Sequence, residues 1–422
     1  MFEELYKDKK ILEYYKNAHF FEKRDFQKRY NMKNILFVPQ IANRSYTTGK
    51  WILMKDGHIR MIKNQIQALN KFGEFSFSIM LPGLDSVEDV KQYSEIFYED
   101  IFSNLNIRIV EVDMSKNVAY NRFHFDMNYL LKHENIFFTF DYIFTDVPET
   151  ARNFQMFYKL NKKEIKIIAN VHYLDIYPEN KIDPNGDSNY FWRQFDGVTC
   201  ADKATFLTLK YADDFFDYAG DRLYPEVLEQ LEKKCYVLDY MCISEYELNM
   251  YKKVKNPNKQ IFFISRCSDD KRTKWKEFIE CVKELRKVRT DFEVFIANPT
   301  QINTKILKDI IGDSDFIKYS EVPLNRREYI EKLWESHCVP LLYDIENNLS
   351  VGFYEAIYCR NIPVQFNVDY ESDKNGSVKY NLLTALKKSL DSSPDEFLER
   401  RVKIIKDHSC EQNAERFFHD FI

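Results

Sequence analysis

Three polar residues of this chain have the types and the spacing that suit chemistry on a diphosphate. Arg266 follows the apolar run 261–264, and Lys276 lies in the first turn of the next helical pattern. Each charge-assisted hydrogen bond contributes roughly 1.5 to 3 kcal/mol, so two fixed cations could lower a barrier by stabilising a departing diphosphate. We therefore predict Arg266 and Lys276 as a catalytic pair that needs no metal. Glu355 suits another task, because its two carboxylate oxygens match a vicinal diol such as that of ribose.

Segment 347–367, NNLSVGFYEAIYCRNIPVQFN, contains a loop that runs into a short helical pattern. The loop carries Ser350 and Gly352, and the helical pattern holds Glu355 in its first turn. A helix N-terminus offers unpaired backbone N–H groups and a positive dipole end, which together suit a phosphate. Taken with Arg266 and Lys276, this segment predicts one nucleotide-sugar site. The alternative, that the three charged residues are ordinary surface groups, stays open.

Motifs of other nucleotide-binding and metal-binding classes are incomplete in this chain. The segment TTGKW contains Gly-Lys but lacks the upstream glycine and the following Ser or Thr of a P-loop. The Asp313-x-Asp315 spacing of metal-dependent transferases falls in a predicted turn. Gln194 stands where a calcium loop beginning at Asp183 needs a bidentate Glu. The sequence therefore predicts no metal site.

Length and composition indicate a globular protein with two domains. The chain has 422 residues, more than one core usually fills, with 45% apolar and 30% charged residues. No apolar run approaches the roughly 20 residues that span a bilayer, and residues 1–32 are charged throughout, unlike a secretion signal. The eight cysteines form no C-x-x-C pair, which is typical of reduced thiols. We expect a cytoplasmic protein without a membrane span.

The distribution of charge is uneven. The net charge of −5 argues against a protein dominated by contacts to a polyanion. Residues 250–289, however, contain thirteen Lys or Arg against five acids, a local excess of +8 that includes Arg266 and Lys276. This segment could therefore bind phosphates.

Short apolar runs that end in turn chemistry alternate with helical patterns along the chain, as at 33–40, KNILFVPQ. Such alternation predicts parallel sheets with helices on both faces. A polar stretch at 251–260 separates two series of strands. The first includes FSFSIMLPG, NIRIVEVD, YIFTDVPE and IKIIANVHYL, and the second includes IFFIS, FEVFIA, FIKYS and CVPLLYD. We predict an α/β fold of two doubly wound, Rossmann-like domains that face each other across a cleft.

The motifs in 261–278 and 347–367 resemble those of the retaining nucleotide-sugar glycosyltransferases of the GT-B fold. Within that group, TKWKEF, TDVPET and the closing KDHSCEQNAERFFHDFI are similar to the DNA α-glucosyltransferases of T-even phages. Those enzymes transfer glucose from UDP-glucose to 5-hydroxymethylcytosine. The sequence pattern divides the chain into four segments, and the resemblance implies the roles of the two domains: a helical extension at 1–32, an acceptor-side domain at 33–255, a nucleotide-sugar domain at 256–395, and a helix at 396–422 that crosses back to the first domain.

The resemblance also implies roles for individual residues. The diphosphate-binding pair matches Arg266 and Lys276, and the ribose-binding acid matches Glu355. Two departures are visible: Asn347 replaces the first acid of the E-x7-E motif, and the two cations are ten residues apart instead of five. The other implied positions are Val351 to Phe353 for the phosphate, Gly57 for close approach to the donor, and His172 with Asp175 on the acceptor side.

The function that follows from this resemblance is transfer of a hexose, with glucose as our first choice, from a UDP-sugar with retention of configuration. The leading acceptor is a 5-hydroxymethyl pyrimidine in phage DNA, which would have to be flipped out of the duplex to reach a cleft. One alternative is a transferase that builds a surface polysaccharide, a lipid-linked glycan or a glycoprotein. The other is a nucleotide-sugar-binding module without turnover. No cofactor is expected besides the donor substrate.

Overall fold

The structure of the chain is a computed structural model. It describes residues 33–39, 57–73, 75–82, 107–112, 127–172, 174, 176, 189–207, 209–238, 243–265, 267, 274–297, 304–322, 324–341, 351–365, 378–393 and 398–422. No helix in these ranges is long and apolar enough to cross a membrane.

The chain forms two compact units. Unit 1 comprises residues 1–239 and 414–422, and unit 2 comprises residues 240–413. The four-segment division remains a prediction, because its first segment, 1–32, lies outside the described residues.

Unit 1 is built on a parallel sheet of seven strands. The strands are β1 Lys33–Val38, β2 Phe75–Pro82, β3 Ile107–Val112, β4 Tyr142–Thr145, β5 Lys166–Val171, β6 Lys203–Phe206 and β7 Cys235–Val237. The helices are α1 Gly57–Leu69, α2 Met127–Lys132, α3 Glu134–Phe137, α4 Ala151–Leu160, α5 Asn189–Cys200, α6 Leu209–Gly220 and α7 Pro225–Glu232, with a 3-10 helix at Pro148–Thr150. The buried apolar strand residues, such as Ile35 to Val38, explain why both faces of the sheet are covered by helices.

The strand order of this sheet is β3-β2-β1-β4-β5-β6-β7. All of its neighbouring strands are parallel, with Ile35 opposite Tyr142 at the junction of β1 and β4. The order reverses at that junction, so β1 and β4 form the topological switch point. Ligands of doubly wound folds bind beyond the carboxyl ends of the strands there.

Unit 2 is built on a parallel sheet of five strands. The strands are β8 Lys259–Phe263, β9 Phe292–Ile296, β10 Ile317–Tyr319, β11 Cys338–Leu341 and β12 Ile362–Gln365. The helices are α8 Glu245–Met250, α9 Trp275–Arg286, α10 Thr304–Ile311, α11 Arg326–Glu335, α12 Val351–Tyr358, α13 Val378–Asp391, α14 Leu398–His408 and α15 Cys410–Phe421. The order β10-β9-β8-β11-β12 puts the switch point between β8 and β11.

Each face of the second sheet carries its own hydrophobic core. One core joins the buried faces of α9, α10 and α13 to the sheet, and the other joins those of α8, α11, α12 and α14. The spacing of five apolar residues in the sequence predicts one apolar face for α9, and the structure confirms it, because all five are buried: Trp275, Phe278, Ile279, Val282 and Leu285.

Helix α15 continues from unit 2 into unit 1. Within unit 2, the Cys410 backbone N–H donates to the carbonyl oxygen of Ile243 at 2.8 Å. Within unit 1, the rings of Phe417 and Phe421 pack against Phe144 of β4, with centroids 6.0 and 6.4 Å away. A break at Ser409 separates α14 from α15, where the sequence pattern predicted continuous helix.

The predicted fold class is confirmed: two parallel, doubly wound α/β sheets form in the predicted order. Two strands of the first sheet were not predicted. These strands, β6 and β7, have four and three residues, too few for a recognisable apolar run.

Candidate functional site

Lys276 is the second residue of α9, which begins after β8 at the carboxyl edge of the second sheet. Its side chain is exposed, and its Nζ lies 5.4 Å from the centre of the Trp275 ring. Lys274 precedes the helix in a left-handed conformation, with φ of 46°. Arg266 lies outside the described residues, so the expected pairing of the two cations stays a prediction. Its neighbour Ser265 is buried, with no hydrogen-bond partner for its hydroxyl in the described part of the chain.

The phosphate-binding helix expected near residue 351 is present as α12. Val351, Gly352 and Phe353 form its first turn, after the loop that follows β11. Ser350 and Asn347 lie outside the described residues. Glu355 is the fifth residue of α12, one turn further into the helix than predicted, and only 1% of its surface is exposed. The alternative that Glu355 is an exposed helix acid is therefore wrong.

Glu355 belongs to a buried ion cluster of three residues. Arg326 Nη2 donates to Glu355 Oε1 at 2.6 Å and to Glu247 Oε2 at 2.5 Å. Arg326 Nε completes a bidentate pair with Glu247 through Oε1 at 3.0 Å. The three side chains come from α8, α11 and α12, and each is at most 10% exposed. We call Glu247, Arg326 and Glu355 the ion cluster.

The electrostatics of the ion cluster favour a charged guanidinium. Burial acts to lower the pKa of Arg326, but the adjacent carboxylates of Glu247 and Glu355 outweigh it and hold that pKa well above its usual value. A guanidinium remains protonated under all ordinary conditions. Because one guanidinium contacts both carboxylates, its removal would take a charged partner from two buried acids at once.

Local signals in the sequence position the ion cluster. Asn325 caps α11 in a capping box: its Oδ1 accepts the Glu328 backbone N–H, and Glu328 Oε2 accepts the Asn325 backbone N–H, both at 2.9 Å. The box places Arg326 at the first helical position. Ser244 caps α8 in a similar way and places Glu247 in its first turn. The caps were readable from the sequence, but the contacts between the helices were not.

A second polar site lies at the carboxyl edge of the first sheet. His172 directly follows β5, and its Nε2 lies 2.9 Å from Oδ1 of Asp146, which directly follows β4. The same oxygen accepts Asn170 Nδ2 at 2.7 Å, and Asn170 Oδ1 in turn accepts the Thr205 hydroxyl of β6. The His172 and Asp146 side chains are 7% and 3% exposed. These residues join the neighbouring strands β4, β5 and β6, of which β4 borders the switch point.

Hydrogen bonds on both sides of Asp146 hold its loop in place. The Asp146 backbone N–H donates to the Val38 carbonyl of β1 at 2.8 Å. Thr145 Oγ1 lies 2.8 Å from Thr150 Oγ1, which closes the turn onto the 3-10 helix. Asp146 is thus a candidate that sequence reasoning missed, although its motif, TDVPET, was noted.

Two further predicted residues have different outcomes. Gly57 is the first residue of α1, so it stands at a helix start as expected. Asp175, the predicted companion of His172, lies outside the described residues. The roles of both in binding substrate stay predictions.

Most described cations of the basic segment 250–289 make contacts inside unit 2. Several cap carbonyl groups: Lys283 donates to Ile310 and Arg286 to Thr290 and Phe292. Others pair with acids, as Lys287 does with Glu284 and Arg289 with Asp291 and Asp391. The local charge excess therefore has a structural explanation and offers less support for nucleic-acid binding than the sequence suggested.

Among the described residues, no group of three or more His, Cys, Asp or Glu is arranged to hold a metal ion.

The fold of this chain is similar to that of several solved structures. No protein-family model matches the chain, and no curated protein matches it significantly. The solved structures that it resembles include HepE from Anabaena in complex with UDP and glucose, with 9% identity, a TM-score of 0.59 and coverage of 92% of this chain and 98% of that one. Another is the UDP-GlcNAc 2-epimerase of Neisseria meningitidis bound to UDP-GlcNAc, with 11% identity, a TM-score of 0.56 and coverage of 92% and 99%.

A third similar structure is the UDP-GlcNAc 2-epimerase of Methanocaldococcus jannaschii, with 13% identity, a TM-score of 0.54 and coverage of 92% and 99%. At such low identities the likeness shows the fold alone. This chain therefore has the two-domain, GT-B-like fold that these nucleotide-sugar proteins also have.

Proposed function

We propose that this chain is a glycosyltransferase that transfers a hexose from a UDP-sugar with retention of configuration. One observation supports the proposal: β8 and β11, the strands that precede the two chain segments with most of the predicted donor-binding residues, are neighbours at the switch point of the second sheet. Arg266 and Lys276 follow β8, whereas Ser350 to Phe353 and Glu355 follow β11. Residues 89 positions apart, from 266 to 355, are thus expected at the edge where doubly wound sheets bind ligands.

The chemistry assigned to these residues follows from their charges. The bond between the anomeric carbon and the diphosphate oxygen breaks, and a bond to the acceptor oxygen forms on the same face. The acceptor proton passes to the departing phosphate oxygen. Arg266, Lys276 and the N-terminal turn of α12 stabilise the negative charge that grows on that phosphate.

On the acceptor side, we assign His172 and Asp175 to contacts with the acceptor or the transferred sugar, and Gly57 to the approach of the donor. His172 has the better support, because it follows β5 at the carboxyl edge of the first sheet, where its Nε2 lies 2.9 Å from Asp146 Oδ1. This edge suits a carbohydrate or other polar acceptor.

For the acceptor, a glycan now has more support than hydroxymethylated DNA. The DNA hypothesis depended on the basic segment 250–289, and most of the described cations in that segment are engaged within unit 2. Hydroxymethylated DNA remains one arm of the test.

The test is incubation of the protein with UDP-glucose and, in parallel, hydroxymethylated DNA, unmodified DNA, an oligosaccharide panel or no acceptor. We expect UDP release that depends on an oligosaccharide, with an α-linked product by NMR. Release stimulated only by hydroxymethylated DNA would restore the DNA hypothesis. UDP binding without turnover on any acceptor would favour a binding module. Arg266→Ala should abolish turnover, and full activity in that variant would refute the mechanism.

A nucleotide-sugar epimerase is the second candidate. The contact between His172 and Asp146 favours it, since epimerisation at a carbon requires positioned groups that remove and return a proton. Incubation with UDP-GlcNAc in deuterated water distinguishes the two functions. An epimerase would incorporate deuterium at C2 without any acceptor, whereas the proposed transferase would not.

A further inference from the structure

A buried hydroxyl without a partner lies at the carboxyl edge of the second sheet. Ser265 is the second residue after β8, only 2% of its surface is exposed, and its Oγ has no hydrogen-bond partner in the described part of the chain. Such a group costs the folded protein free energy, because it has given up its hydrogen bonds to water. A ligand that pairs with this hydroxyl would recover that free energy.

The start of α9 lies beside Ser265. Phe263 and Cys267 both belong to the hydrophobic core under α9, and Ser265 lies midway between them in a segment whose side chains alternate, so it faces the same core. The Phe263 ring stacks on Phe278 of α9, with centroids 4.6 Å apart. Ser265 is about 7 Å further along the chain, a distance that about four to five helical residues cover. Because α9 runs back along the sheet towards β9, that distance leads to its first residue, Trp275.

The first turn of α9 suits an anion. The first N–H groups of an α-helix have no partner within the helix, and they form the positive end of its dipole. A side-chain oxygen at the N-cap commonly accepts one of them, but the N-cap of α9 is Lys274, whose side chain has no acceptor. Lys274 has φ of 46°, and a left-handed residue followed by helical residues turns successive N–H groups towards one hollow.

The charges around this turn also favour an anion. Lys274 and Lys276 lie at the helix start, and Glu277 is the acid of the first turn, which leaves a net charge of +1. Burial raises the pKa of Cys267 to about 12, so its thiol is neutral and does not repel an anion.

We infer that the Ser265 hydroxyl and the first-turn N–H groups of α9 form a second phosphate subsite, which binds the terminal phosphate of a nucleoside diphosphate and makes the protein bind UDP more tightly than UMP. The inference rests on the proposed nucleotide-sugar site, and it adds a hydroxyl and a helix start to the groups assigned there. Helices α9 and α12 follow β8 and β11, which are neighbours at the switch point, so each helix start takes one phosphate.

A hydroxyl that is kept for a ligand has opposite effects on stability and on binding. In the ligand-free protein, Ser265→Ala removes a buried polar group that has no partner, so stability should rise or stay the same. In the complex, the same variant loses a hydrogen bond to a charged oxygen, so affinity should fall. A serine with a structural role would instead lose stability when it is substituted. The direction of the stability change therefore separates the two roles.

The test combines calorimetric titration of UDP and UMP with urea unfolding of the ligand-free proteins. We expect the wild-type protein to bind UDP more tightly than UMP by about tenfold or more. In Ser265→Ala this preference should fall by about threefold or more, while affinity for UMP stays within about twofold of wild type and the urea midpoint is no lower. Retained binding of UMP also shows that the variant is folded.

The matched control is Ser78→Ala. Ser78 lies in β2, is fully buried, and its hydroxyl also has no hydrogen-bond partner among the described residues. This variant should likewise not lose stability, but it should keep the full preference for UDP. A second variant, Glu277→Gln, removes the acid from the first turn of α9 and should increase the preference, because that acid opposes an anion there.

The outcomes separate this inference from the proposed function. Absence of UDP binding by the wild-type protein would refute both together. UDP binding without a preference over UMP would overturn only the inference, and so would an unchanged preference in Ser265→Ala. A lower urea midpoint with the full preference would assign Ser265 a structural role. An unchanged or lower preference in Glu277→Gln would place the terminal phosphate away from α9 and overturn the inference as well.

Discussion

At the carboxyl edge of the first sheet, the buried polar groups come from the strand ends themselves, whereas at the second sheet they come from helices. Asp146 and His172 directly follow β4 and β5, and the backbone of the sheet fixes their positions. Glu355 and Arg326 lie on α12 and α11, so their positions depend on how those helices pack.

The two edges also differ in how they balance charge. At the first edge, one carboxylate accepts a hydrogen bond from the amide of Asn170 and lies 2.9 Å from the imidazole of His172. At the second edge, two carboxylates contact one guanidinium. Loss of a hydrogen bond to an uncharged amide costs less than loss of the cation from a buried ion cluster. The first edge should therefore be robust to substitution and the second fragile.

The largest expected effect is that of Arg326→Met on stability. Arginine and methionine side chains are both long and unbranched near the backbone, but the variant removes the guanidinium that contacts the buried Glu247 and Glu355. Breaking a buried ion pair in this way costs about 3 to 5 kcal/mol. Urea unfolding followed by tryptophan fluorescence should show a loss of this size, because Trp334 lies on the same helix. The control Arg327→Met, at an exposed pair, should leave the urea midpoint close to that of wild type.

In the first sheet, Asp146→Asn should lower the free energy of unfolding by only about 1 kcal/mol, because the new amide still offers an oxygen that can accept the hydrogen bond from Asn170. Urea unfolding measures this loss as well. A loss for Asp146→Asn as large as that for Arg326→Met would show that the two edges do not differ as argued.

Close packing of α5 should contribute to the stability of the first edge, and Gly197→Ala tests this contribution. A Cβ at Gly197 of α5 would lie 1.9 Å from the carbonyl oxygen of Pro148, so α5 must move away from the 3-10 helix next to Asp146. Overpacking of this kind typically costs about 1 to 3 kcal/mol. Thermal unfolding measures the loss.

The matched control is Gly220→Ala, where the nearest atom, Leu228 Cδ1, would be 3.6 Å away, an ordinary contact. Gly220→Ala should be neutral or slightly stabilising. Equal behaviour of the two variants would mean that close packing does not hold the first edge.

The sequence predicted the sheets well because buried parallel strands are local apolar runs, as in β1 and β8. It predicted the face of α9 for the same reason. The ion cluster escaped prediction, because Arg326 contacts acids that are 79 and 29 residues away, on helices whose packing no local pattern specifies. The contact between Asp146 and His172 was not predicted, because the two residues follow different strands, although the sequence pattern identified both strand ends.

Lys255 is a buried lysine of unit 2 whose hydrogen-bond acceptors are uncharged. It shows whether a cation in this unit requires a carboxylate to stay protonated. Its Nζ donates to the carbonyl groups of Ser336 and Cys359 and to Asn361 Oδ1. Burial lowers its pKa to about 7, from 10.5. Between these values the unfolded chain binds more protons than the folded one, so the free energy of unfolding should rise with pH by up to about 1.4 kcal/mol per unit.

The experiment compares urea midpoints of wild type and Lys255→Met from pH 6 to pH 9. Below pH 7 the lysine is protonated in both states, so the difference between the two proteins should be constant. Above pH 7 it should move in favour of wild type. A difference that stays constant up to pH 9 would show that the three acceptors keep Lys255 charged, and that cations of this unit need no acid.

A small effect, similar in size to that of Asp146→Asn, is expected at the cap that places Arg326. Asn325→Ala removes the acceptor for the Glu328 backbone N–H and should cost about 1 kcal/mol of stability, whereas Asn325→Asp should restore most of it. Because the cap also positions Arg326, the loss for Asn325→Ala combined with Arg326→Met should be smaller than the sum of the two single losses, which a double-mutant cycle of urea unfolding measures. Additive losses would show that the contacts to Glu247 and Glu355 are sufficient to orient Arg326, so that the second edge depends on charge pairing alone.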